Sequence, residues 1–157
     1  MLIRRGDMAE IKEKIENKEV NLNATRWSGF TLLHRAAEIG HTELCDFLIN
    51  AGIPPDIRSA RGWLTPLHVA LGNGYLETAE LLIDRGANPW KKNKYREDPF
   101  DYGCKRGFVK ICDEFKAKFI AIQLKENVQR MISQPGTAKN SIFVPPLEDG
   151  AAAHEDG

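Results

Sequence analysis

Residues 29–41 read Gly-Phe-Thr-Leu-Leu-His-Arg-Ala-Ala-Glu-Ile-Gly-His, and residues 62–75 read Gly-Trp-Leu-Thr-Pro-Leu-His-Val-Ala-Leu-Gly-Asn-Gly-Tyr. The Thr-x-Leu-His phrase thus returns after 34 residues, at Thr31–His34 and Thr65–His68. A fixed period of this size implies stacked units rather than a closed globule, because so short a unit cannot bury its own apolar face. Each phrase opens a helix. The Thr hydroxyl can accept from free amides of the first turn, and Pro66 at the first helical position forfeits no hydrogen bond. The imidazole three residues on can reach back to the Thr. A second helix follows, in which Leu44, Phe47, Leu48 and Ile49 are matched by Thr78, Leu81, Leu82 and Ile83. Gly52 and Gly86 stand where the chain must leave that helix through a left-handed conformation.

These residues resemble the ankyrin-repeat family, whose unit is a β-turn finger followed by two antiparallel helices. The resemblance covers about Gly6 to Phe115 and is closest over Gly29–Gly52 and Gly62–Gly86. A divergent unit starts at Asn93, with Asp98-Pro99-Phe100-Asp101 in place of Thr-Pro-Leu-His and Arg96 in place of the finger glycine. Asp caps as well as Thr, so the helix start is retained, whereas the tightness of that turn is in question. Gly6–Ile11 resembles the end of an inner helix and the start of an outer one. The first unit is therefore incomplete, and the chain reads either as a fragment, the favoured reading, or as starting on a half repeat that caps the array. The expected fold is an all-α ankyrin-repeat solenoid with a long C-terminal helix. The array spans 1–118, with repeats near 24–56, 57–90 and 91–118; a helical extension covers 119–133 and a tail 134–157.

Composition limits the function classes. The chain has 157 residues with 22 Lys and Arg against 22 Asp and Glu, so no global field favours nucleic acid or a membrane surface. The longest apolar runs fall well short of the roughly 18 residues that span a bilayer. Cys45, Cys104 and Cys112 lack paired metal-ligand spacing and read as small hydrophobes in a reducing cytoplasmic or nuclear compartment. No metal or cofactor is expected. His34 and His68 recur with the period and read as cap residues, with no nucleophile and carboxylate to make a catalytic set. The expectation is a non-enzymatic protein.

The resemblance implies a protein partner held on finger tips and on the concave face of the inner helices. The residues placed there are Trp27, Phe30, Ile39, Arg61, Trp63, Leu64, Lys94, Tyr95 and Arg106. Aromatic and Arg side chains dominate binding hot spots, so Trp27, Phe30, Trp63 and Tyr95 are read as an anchoring stripe. The alternative is that these rings pack finger against finger. Trp63-Leu64 includes one extra residue that lengthens its finger, and Trp90, beside Pro89, is expected to pack beneath the fingers. Lys91, Lys92, Lys94, Arg96, Lys105, Arg106 and Lys110 gather near the last repeat, either as a solvated face or to steer an acidic partner.

A helical pattern runs from Val109 to about Ile132 without Gly or Pro. Ile111, Cys112, Phe115, Phe119 and Ile122 share one stripe, which is expected to cap the last repeat. Ile120, Leu124, Val128 and Met131 lie roughly opposite. That second stripe has three readings: it folds back, it meets a partner's groove, or it mediates self-association. From Ser133 onward the composition predicts disorder, with an apolar island at Ser141–Leu147. Function is thus expected to be protein binding as an adaptor, scaffold or inhibitor. The alternatives are assembly through the terminal helix, or a regulatory ankyrin domain of a larger enzyme or channel.

Overall fold

The computed structural model describes residues 8–25 and 28–133. Trp27 and the tail, including Ser141–Leu147, lie outside the described residues. Seven helices follow one another: α1 (Met8–Glu16), α2 (Leu32–Glu38), α3 (Thr42–Asn50), α4 (Pro66–Gly72), α5 (Leu76–Asp84), α6 (Pro99–Lys105) and α7 (Val109–Ser133). There is no strand among the described residues. The chain divides into two compact units, Met1–Asp113 and Glu114–Gly157, and the division falls within α7.

In the first unit the inner helices α2, α4 and α6 neighbour one another, and α2 and α4 each pack on the outer helix that follows, α3 and α5. Helix α1 begins 34 residues before α3, at the position of an outer helix in the period. All three inner helices start on a capping box. Thr31 and Thr65 accept from the backbone N–H of His34 and His68, and those imidazoles accept in return from the cap backbone N–H. Asp98 and Asp101 make the same reciprocal pair, with Asp98 Oδ1 accepting from Asp101 N–H at 2.9 Å. The core is built from Leu33, Ala36 and Ala37 against Leu44, Cys45 and Leu48, repeated as Leu67, Ala70 and Leu71 with Ala79 and Leu82. Alanine at the paired positions lets the helices approach closely.

Two devices set the spacing between repeats. The first is the imidazole. His34 Nε2 reaches Leu64 O at 2.7 Å, and His68 Nε2 reaches Glu97 O at 2.9 Å, each in the next finger. Because Nδ1 accepts from the Thr31 or Thr65 N–H, the proton sits on Nε2 and is donated to that carbonyl. The second device is a ring laid against bare backbone. A β-carbon on Gly40 would stand 2.6 Å from the Tyr75 ring, and one on Gly74 would stand 2.7 Å from the Phe108 ring. At the equivalent Gly107 no atom of the described residues lies within 4 Å of such a carbon. Outer helices are joined by Thr42 and Thr78, whose hydroxyls meet at 2.9 Å, and by the ion pair of Arg85 with Asp46.

Both imidazoles are fully buried, and desolvation lowers each from the ordinary 6.5 to about 4. The unfolded chain therefore takes up protons near pH 6.5 that the folded chain refuses until about pH 4. Stability is fully present above pH 6.5 and falls through that window, by up to about 1.4 kcal/mol per pH unit for each imidazole. Urea titrations between pH 7 and pH 5 are expected to show the midpoint decreasing steadily. A flat midpoint over that range contradicts the neutral buried state.

Candidate functional site

Three fingers precede the inner helices, and each is closed by a different set of polar contacts. In the first, Ser28 Oγ accepts from the Arg35 guanidinium at 2.7 Å. In the second, the Ser59 N–H donates to Leu64 O at 2.8 Å, and Ser59 Oγ accepts from the Leu64 N–H at 3.0 Å. In the third, the Asn93 N–H donates to Glu97 O at 2.9 Å, while Asn93 Oδ1 accepts from the N–H groups of Tyr95 and Glu97. The closing bond spans five residues in the second finger and four in the third, which locates the extra residue between Ser59 and Leu64. Adjacent tips are hydrogen-bonded through the backbone: Ala60 N–H to Gly29 O, and Lys94 N–H to Gly62 O, each 2.9 Å.

The residue that ends each tip is left-handed. Gly29 has φ +75°, Trp63 +55° and Arg96 +64°. Only the first is glycine, so the turn keeps its shape at Arg96 through the Asn93 clamp rather than through backbone freedom. A bulky side chain in this region is disfavoured by roughly 1–2 kcal/mol. Trp63 nevertheless remains 49% exposed, so its indole recovers only part of that cost by burial. The Arg58 guanidinium lies over the ring, 5.5 Å from its centroid.

Of the residues expected to bind, Arg61, Trp63, Lys94 and Tyr95 come together on the second and third tips, with Tyr95 70% exposed. Ile39 is exposed at the end of α2. Arg106 lies at the equivalent end of α6, where its Nε donates to Gly72 O at 3.3 Å. Leu64 is half-buried, and its backbone, not its side chain, is engaged. Phe30 departs from the stripe. Its ring stacks on His34 at 5.2 Å with Arg35 above it, so it supports the start of α2. Trp90 is half-buried with its ring 5.4 Å from Phe100, beneath the fingers as expected. Two exposed groups were missed, Arg58 and Tyr75. Arg58 becomes visible only when the finger closes. Tyr75 carried a signal, since it follows the turn glycine as His41 does.

The basic run near the last repeat is partly consumed by structure. Lys105 pairs with Glu97, and Lys91 donates to Asp56 O at 3.2 Å. Partial desolvation works to raise the Glu97 carboxyl, but hydrogen bonds from Asn93 and Lys105 outweigh it and hold the group below its usual range. The buried thiols of Cys45 and Cys112 are pushed up to about 12 by desolvation, which leaves them protonated. Both nitrogens of His34 and His68 are committed within the fold, Nδ1 to the helix cap and Nε2 to the carbonyl of the next finger.

Finger, inner helix and outer helix, stacked at this period, define a repeat scaffold for protein recognition. A family model for ankyrin repeats in three copies matches residues 2–93, and the chain belongs to the ankyrin-repeat family. It is 34% identical over 99 residues to protein phosphatase 1 regulatory subunit 27 of Mus musculus, covering 63% of this chain and 64% of that protein. Protein phosphatase 1 regulatory subunit 12A of Mus musculus is 33% identical over 111 residues, covering 62% and 11%. The probable 26S proteasome regulatory subunit p28 of Saccharomyces cerevisiae is 28% identical over 108 residues, covering 66% and 47%. The chain thus spans less than two thirds of the length of each of these relatives. The repeats and these relatives support a protein-binding adaptor or regulatory role. Among the described residues, no helix is long and apolar enough to cross a membrane.

Replacing Trp63 by Gly separates support of the fold from service to a partner. Relief of the left-handed strain is expected to leave stability unchanged or up to about 1 kcal/mol higher, measured by urea unfolding. A loss of more than about 1 kcal/mol would make the indole a packing residue.

Proposed function

We propose that this chain is a non-catalytic ankyrin module that holds a protein partner on its second and third finger tips and on the adjoining ends of its inner helices. The observation that carries this reading is Trp63: a strained, half-exposed indole beside the exposed Tyr95, on tips already locked together by backbone hydrogen bonds. Such rigid aromatic surface loses little entropy on binding. Ile39 and Arg106 extend the surface along the helix ends. Relatives named as regulatory subunits of protein phosphatase 1 support a regulatory role and make that phosphatase the first defined partner to test. Buried Cys45 and Cys112, free and with protonated thiols, fit a reducing cytoplasmic or nuclear compartment.

Affinity capture should compare the chain with a Trp63→Gly, Tyr95→Ala variant of equal helix content, using cell extract and purified protein phosphatase 1. At least one stoichiometric partner is expected to bind the chain and to be lost, by about tenfold or more in affinity, from the variant. Partners that bind both equally sink the assignment of the tips.

A second reading rests on α7, where Leu124, Val128 and Ile132 are exposed, beside the half-buried Ile120 and Met131. This row suits self-association. Sedimentation equilibrium showing a monomer at high concentration ends that reading.

A further inference from the structure

We propose that the finger tips select an extended, acidic protein segment carrying an apolar side chain between its carboxylates. The inference rests on the tip-binding reading above and specifies the chemistry of the partner. Arg58, Arg61, Lys92, Lys94 and Arg96 are all exposed on the second and third fingers. Among the described residues, none of these five forms an ion pair. The two carboxylates within these fingers are already occupied. Asp56 Oδ1 accepts from the Asn88 N–H at 2.9 Å, and Glu97 is held by Lys105 and Asn93. The tips therefore carry uncompensated positive charge on a chain whose net charge is zero.

Charge alone is a common surface property, and the rings give it direction. The Arg58 guanidinium stands 5.5 Å from the centroid of the Trp63 ring and forms no ion pair among the described residues, so its donors suit a bidentate carboxylate. The bond from Lys94 N–H to Gly62 O brings the third tip against the second, so Tyr95 and Trp63 project from neighbouring turns with Arg61 and Lys94 beside them. An extended peptide crossing both tips meets cations and rings together. Carboxylates suit the first kind of contact, and a leucine or proline suits the second. A nucleic acid is less well served, because a chain of zero net charge supplies no extended field to hold a continuous phosphate chain.

Fluorescence anisotropy tests this with three labelled probes: a short peptide in which glutamate alternates with leucine and proline, its glutamine counterpart, and a single-stranded oligonucleotide. The acidic peptide is expected to bind, with affinity falling about tenfold or more in the glutamine counterpart and falling steeply with added salt. The Arg58→Glu, Arg61→Glu, Lys94→Glu variant is expected to lose this binding, whereas Lys14→Glu on α1 keeps it. Equal binding of the acidic and neutral peptides overturns the proposal, as does no binding of the acidic peptide up to about 1 mM. Tighter binding of the oligonucleotide, lost on charge reversal, reassigns the tips to nucleic acid and overturns it too. A captured partner that survives charge reversal but is lost with Trp63→Gly overturns only the acidic assignment. A partner that survives both removes the tip reading itself.

Discussion

The hydrogen bond from a buried imidazole to the carbonyl of the next finger is the constraint on which this scaffold turns. Each of His34 and His68 satisfies its own helix cap through Nδ1 and the neighbouring repeat through Nε2, so one side chain couples local and long-range order. Removing such a group strands a buried carbonyl and two cap groups at once, and each unsatisfied partner costs about 1–3 kcal/mol. The same bond fixes where the next finger starts. The position of Trp63 follows from it, because Leu64, the acceptor, is the adjoining residue.

Rigidity at the tips follows from the bonds beneath them. Ser59 closes the second finger and Asn93 the third, and the tip-to-tip backbone bonds prevent the fingers from moving independently. Trp63 and Arg96 therefore hold conformations that neither would choose alone. The energy for this comes from the helices below, where Leu67, Leu71 and Leu82 are wholly buried.

Legibility in the sequence divides along physical lines. Caps, turn glycines and the period are local or strictly repeated, so the helix starts at Thr31, Thr65 and Asp98 could be read from residue order. Trp63, Tyr95, Lys94 and Arg61 could be placed on tips for the same reason. What could not be read depends on a neighbouring unit or on the closed finger: the carbonyl acceptors of the imidazoles, Arg58 over Trp63, and the inward turn of Phe30 onto His34. Arg96 illustrates the limit. Its sequence suggested a loosened turn, yet Asn93, three residues before it, supplies through the flanking N–H groups the restraint that glycine would have supplied by freedom.

The third inner helix carries Asp101 where the earlier ones carry histidine, and a carboxylate has no proton to give to a following finger. The aromatic seat at Gly107, by contrast, is of the same kind as those filled at Gly40 and Gly74, and no ring among the described residues fills it. Half of the coupling hardware for another unit is present and half is missing. An engineer lengthening this array would find that a grafted repeat fits after Gly107 but slides, until histidine is restored at 101 to set its register.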